Sequence, residues 1–275
     1  MKHLLLTATI AATLLLSNSA HAQASDIPSA APTPTAGATP EQRGHLLLDQ
    51  MVAALGGPLW LNRSTIYEEG HTAAFFRGSP NGSVADFWSY RQFPINGKPD
   101  VERIEYTKKR DVVHIWTTDT GIEITYKGRT TLPKEQVDDH IRRHNHSIEE
   151  VVRTWLKQPD VVVLAEGTSM VERRMVDKVT VLSANNDAVT LELDINTHLP
   201  LRRTFEWRNE TFKDHDEDAE EYDDYHTIQG FPTPFTITRY HNGDMASQLF
   251  VKKVEYGTSM PPELFDPSRP VKKGK

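Results

Sequence analysis

The chain has no cysteine among its 275 residues. Disulfides, thiolate metal centres, iron–sulfur clusters and cysteine nucleophiles are excluded together. A bacterial lipoprotein anchor, which needs a cysteine at the cleavage point, is excluded as well. There is no surplus of positive charge: 31 Lys and Arg stand against 38 Asp and Glu, a formal net charge of −7. A nucleic-acid partner needs clustered cations and is not expected. Long hydrophobic runs are missing too. Mean hydropathy is −0.53, and the apolar run at residues 4–16 is too short to cross a bilayer as a helix. The sequence contains no GxGxxG, no Walker loop, no HExxH and no GxSxG. That lowers the case for dehydrogenase, kinase and hydrolase chemistry together. No catalytic residue and no cofactor is implied.

What is present begins with a targeting signature. Lys2 and His3 precede the apolar run, and Ala20-His21-Ala22 follows it as a small-x-small cleavage site. Residues 1–22 therefore read as a secretory signal, and the expected location is the periplasm, with no membrane span left after cleavage. Residues 23–40 include APTPTAGATP and read as a disordered tether. Residues 41–268 form the folded domain, and 269–275 a basic tail.

The folded part opens with a helix. Pro40 stands in its first turn, Leu46, Leu47, Met51 and Leu55 recur at helical spacing, and Gly56-Gly57-Pro58 ends it. Short runs rich in β-branched and aromatic residues follow at 66–76, 84–93, 101–106, 112–118 and 122–126. Turn chemistry such as Asn96-Gly97 separates them. A second amphipathic helix spans 134–156, with Asn145 marking a break. Strands resume at 161–166, 176–183, 188–195, 201–207, 222–228, 235–241 and 245–256. Short connections and the missing βαβ rhythm predict antiparallel pairing. The expected fold is α+β: one strongly curved antiparallel sheet of about a dozen strands, with two main helices on one face. Helices that cover such a sheet incompletely leave an apolar cavity.

Three constellations carry possible chemistry. His140 and His144 share a helix face at i, i+4, with His146 close by, as a metal site would require. Arg142 and Arg143 lie inside that motif and oppose a divalent ion, so the solvated-face reading is favoured. The run Asp214 to Asp224 holds eight acids and no Lys or Arg. It starts like a calcium loop, but Ala219 stands where glycine is needed and Tyr225 where glutamate is needed. It is expected to be a solvated acidic hairpin loop. In Phe87-Trp88-Ser89-Tyr90-Arg91, Phe87 and Arg91 face one way and Trp88 and Tyr90 the other. The sequence leaves open which face is inside.

A wider pattern joins these pieces. It runs from the helix ending in Leu-Gly-Gly, through Ile66-Tyr67-Glu68-Glu69-Gly70 and Phe87 to Pro94, to Leu199-Pro200-Leu201-Arg202. It continues through Tyr222-Asp223-Asp224-Tyr225 and Gly230-Phe231-Pro232 to Leu264-Phe265-Asp266-Pro267. Over residues 41–268 this resembles the outer-membrane lipoprotein-sorting (LolA-like) superfamily, and more closely its larger uncharacterised bacterial relatives. The resemblance implies that the sheet is an incomplete β-barrel, a half-barrel with the two main helices packed on its concave side and an apolar cavity for acyl chains. It also implies a strand arginine, close to a proline, that helps hold the closed state. Arg91 corresponds to that arginine, although Gln92-Phe93 separate it from Pro94. The expected function is a non-enzymatic carrier of a lipid or acylated-protein ligand. Expected cavity residues are Phe76, Phe87, Trp116, Leu191, Leu193 and Phe205, with Arg91 near a rim or head group. Taken singly, each apolar member is better read as plain core. An envelope sensor binding a protein partner is the alternative, and a metalloenzyme built on His140, His144 and His146 a weaker one.

Overall fold

The computed structural model describes residues 37–271 apart from Ser83 and Glu210. The signal expected at 1–22, most of the tether and the end of the basic tail lie outside the described residues. The first helix, α1 (Pro40–Leu55), starts on a capping box: Thr39 accepts from the Gln42 N–H at 3.2 Å, and the Gln42 side chain accepts from the Thr39 N–H at 3.0 Å. A single turn, α2 (Pro58–Leu61), follows.

Seven strands come next: β1 (Thr65–Phe76), β2 (Ser79–Pro80), β3 (Ala85–Gln92), β4 (Val101–Tyr106), β5 (Val112–Trp116), β6 (Gly121–Thr125) and β7 (Gly128–Thr131). The expected second helix is two. They are α3 (Lys134–Asn145) and α4 (Ile148–Arg153), broken at His146 and restarted by Ser147, whose hydroxyl accepts from the Glu150 N–H at 3.2 Å. The second run of strands is β8 (Val162–Val171), β9 (Arg174–Leu182), β10 (Ala188–Asp194), β11 (Pro200–Arg208), β12 (His215–Ile228), β13 (Phe231–His241) and β14 (Asp244–Tyr256).

All fourteen belong to one antiparallel sheet, ordered β7-β6-β5-β4-β3-β1-β14-β13-β12-β11-β10-β9-β8, with β2 paired to β1. The sheet does not close, because β7 and β8 are its two edges. The segment joining those edges carries α3 and α4 across the concave face. At the centre, β1 pairs with β14 through a bulge between Glu69 and Gly70. A Cβ on Gly70 would stand 2.1 Å from the Phe250 carbonyl oxygen, so only glycine lets the seam close there.

The acidic run is not a loop. Residues 215–224 lie in β12, where Arg202 and Arg203 of β11 stand opposite Glu221 and Glu220, and Arg239 of β13 opposite Glu220. Cross-strand cations make an acidic strand tolerable. The largest core lies at the other end of the sheet. Leu47, Leu48 and Met51 of α1 and Val151 of α4 pack on Val163, Val179, Val181, Val189, Leu191 and Leu193. Gly44 lets α1 come this close, since a Cβ there would meet Val163 at 2.9 Å. By contrast, α3 buries only Val137, against Trp116 and Leu132, with Ile141 partly covered.

Candidate functional site

Under α3 and α4 the concave face encloses a cavity of about 510 Å³. Alternation on β3 sends Phe87, Ser89 and Arg91 into it. Trp88 and Tyr90 face outward, where Trp88 donates to Glu69 at 3.1 Å and Arg110 lies over its ring at 4.2 Å. The question left open by the sequence is thus answered in favour of the Phe87 face.

Around Arg91 the wall is ionic. Its guanidinium lies 3.5 Å from Asp100 and donates to Nδ1 of His144 at 3.3 Å. Burial works against its charge, but Asp100, Glu102 and Glu149 prevail and raise its pKa. The ring of Phe93 sits under three guanidiniums, those of Arg63 (4.6 Å), Arg153 (4.7 Å) and Arg91 (4.8 Å). Glu149 answers them with a bond to Arg63 at 2.5 Å. Burial would raise the Glu149 pKa, yet Arg63 and Arg91 hold it below the usual range.

A second network stands further along the cavity. Arg203, 1% exposed, donates to the carbonyls of His146 (2.8 Å) and Arg143 (3.2 Å) and pairs with Glu220 at 3.1 Å. Glu220 also accepts from Arg239 Nε at 2.6 Å and from the Tyr222 hydroxyl at 2.7 Å. Against burial, Arg203 and Arg239 keep the Glu220 carboxyl far below its ordinary range. Two groups are displaced the other way. Burial, helped by Glu102, pushes Glu68 up to about 7. His140 stacks on Trp116 at 4.1 Å, and burial followed by Arg143 and His144 pushes it down to about 3.

The cavity is therefore amphipathic, not the apolar pocket expected. Strand parity explains why. On β11, Arg203 takes an inward position between Leu201 and Phe205, and register sets it beside Glu220, which β13 meets with Arg239. Among the expected cavity residues, Phe87, Arg91 and Trp116 line the wall, together with His140 and His144. Leu191, Leu193 and Phe205 are sealed in the core under α1 and α4 instead. Phe76 lies outside, 64% exposed, where β1 runs past the cavity to pair with β2. His146 turns away from its neighbours, stacks on Phe205 at 4.2 Å and bonds Asp187 at 2.8 Å. Among the described residues no cluster of His, Asp and Glu is arranged to hold a metal. The sequence reading did not place Arg63, Glu68, Glu149, Arg203, Glu220 or Arg239 in the cavity. A parity count along β11 and β12 would have flagged Arg203 and Glu220.

This architecture occurs in solved structures. A DUF1329 family protein from Desulfovibrio piger matches with a TM-score of 0.58 at 12% identity, over 83% of this chain and 98% of its own. A protein from Vibrio parahaemolyticus, described as an outer membrane lipoprotein-sorting protein domain, matches with a TM-score of 0.54 at 11% identity, over 82% and 97%. The fold is LolA-like. At these identities the likeness is one of fold. No family model and no curated relative matches the sequence. No helix among the described residues is long and apolar enough to cross a membrane.

Proposed function

We propose that the chain is a non-enzymatic binding or carrier protein of the periplasm, holding a lipid-like or acylated ligand between its sheet and α3–α4. The observation that carries this reading is the cavity itself. Its volume of about 510 Å³ falls within the range of about 300–1,000 Å³ of small-molecule sites. Trp60, Ile66, Phe87, Phe93 and Leu249 supply apolar wall beside the ion pairs, which suits a ligand with a tail and a polar end. Burying the tail contributes roughly 0.8 kcal/mol per methylene, enough to outweigh the ordering of a long chain. The fold shared with a lipoprotein-sorting domain supports the same reading. Entry and release fall to α3, whose few apolar contacts make it the most weakly held cover of the cavity.

The test is direct. Protein purified without detergent is extracted with organic solvent and the extract is analysed by mass spectrometry. A stoichiometric lipid, or saturable binding of a fluorescent fatty acid, is expected. Absence of both overturns the proposal.

A further inference from the structure

The cavity continues into a second one of about 370 Å³, which reaches Trp207, Tyr240 and His241 near the β13–β14 turn. The two share one stretch of wall, built by Arg143, Arg203, Glu220, Arg239 and Ser247. That wall holds three guanidiniums and a single carboxylate. The carboxylate is already taken, because Glu220 pairs with Arg203 at 3.1 Å and accepts from Arg239 Nε at 2.6 Å. The acids of the second cavity are engaged as well. Asp139 pairs with Arg142 and Asp218 with His241, both at 2.8 Å.

Arg143 is left over. Its carbonyl serves Arg203, but among the described residues its guanidinium has no ion pair within 4 Å and no side-chain hydrogen bond. Burial and then the facing Arg239 depress its pKa, and the smaller opposing pull of Asp218, Asp139 and Glu220, all of them bonded to other groups, does not restore it. Arg239 commits Nε to Glu220 and remains 41% accessible. One turn before Arg143, the imidazole of His140 is held in its neutral form first by burial and then by Arg143, His144, Arg91 and Arg239. Like charges gathered in a space of low dielectric repel strongly unless an anion joins them. Guanidinium forks match the oxygens of a carboxylate or phosphate in pairs.

We propose that Arg143 and Arg239 bind the oxyanionic head group, carboxylate or phosphate, of an amphipathic ligand whose tail fills the larger cavity. This rests on the carrier reading above and adds the chemistry of the head and its orientation. The head sits at the junction of the two cavities, and the tail runs toward Leu55, Trp60 and Phe93. Arg143 is the clean residue to change, because no structural ion pair depends on it.

Delipidated protein and its Arg143→Gln variant are titrated calorimetrically with decanoate, with decanol and with inorganic phosphate. Thermal midpoints confirm that both proteins are folded. The parent is expected to prefer decanoate over decanol by at least about tenfold, as one charge-assisted contact requires. Arg143→Gln is expected to lose that preference while keeping its affinity for decanol within about threefold. Equal affinity of the parent for acid and alcohol overturns the head-group site and leaves the carrier reading standing. If neither amphiphile binds, the carrier reading falls. Phosphate then decides: binding that Arg143→Gln abolishes identifies an oxyanion site for a free anion, and no binding ends the proposal.

Discussion

The same sheet is covered twice, in two different ways. Over β8–β11, α1 and α4 press Leu47, Leu48, Met51 and Val151 onto an unbroken apolar surface. Over β3–β5 and β12–β14, α3 touches down chiefly at Val137, and the space beneath it is a cavity whose wall is largely charged. One half of the concave face is thus dry and close-packed, the other hollow and ionic. The difference teaches where stability and function reside. A close-packed interior tolerates no loss of volume or gain of charge. A hollow one holds its shape through ion pairs and stays open to a guest.

Substitutions in the two halves separate them. The largest effect is expected at Leu193, which is fully buried. Leu193→Glu places an unpaired charge in the dry half, and no folded protein is expected by circular dichroism. A folded variant that merely loses ligand would move Leu193 into the hollow half and break the comparison. Next comes Arg203→Ala, which strips the buried Glu220 of one of its partners. The expected loss is about 3–5 kcal/mol in urea denaturation, the scale for breaking a buried pair. A change below about 1 kcal/mol would show that the ionic half has no structural part.

Glu68 gives a smaller effect with a definite sign. Its folded pKa of about 7 lies above the ordinary 4.5. Between those values the folded chain keeps a proton that the unfolded chain has released, so this group makes stability fall as pH rises through the window. Glu68→Gln should raise the urea midpoint at pH 8 and leave it nearly unchanged at pH 4.5. Equal shifts at both would show that Glu68 is well solvated. The smallest effect is expected at Phe76, outside both halves. Phe76→Ser should stay within about 0.5 kcal/mol of the parent and bind ligand unchanged.

The dry half was legible in the sequence because one rule governs it. Val189, Leu191 and Leu193 alternate with polar residues, and the helix that covers them repeats its leucines at matching spacing. Antiparallel pairing, the single large sheet and the break near Asn145 followed from equally local signals, and the incomplete barrel from the family resemblance. The hollow half was not legible, since its ion pairs join residues far apart in sequence. Arg63 meets Glu149 across 86 positions, and Arg203 reaches the carbonyl of His146 across 57. The acidic run shows the same limit. Seen alone it reads as a solvated loop, and only the arginines of β11 and β13 beside it make it a strand.

The central seam also constrains how the chain is made. Ile66 of β1 pairs with Tyr256 of β14, and both arms of the sheet hang from that pairing. Each arm is a run of neighbouring hairpins and forms early from local contacts. The seam must wait until nearly the whole chain is available, because closing so long a loop is slow. Until then β1 and β14 are bare strand edges, the part of the molecule most open to wrong pairing. A one-residue slip of β1 would bring the Cβ of Glu69 or His71 to the place where only Gly70 fits beside the Phe250 carbonyl, so the bulge guards assembly as much as it adjusts shape.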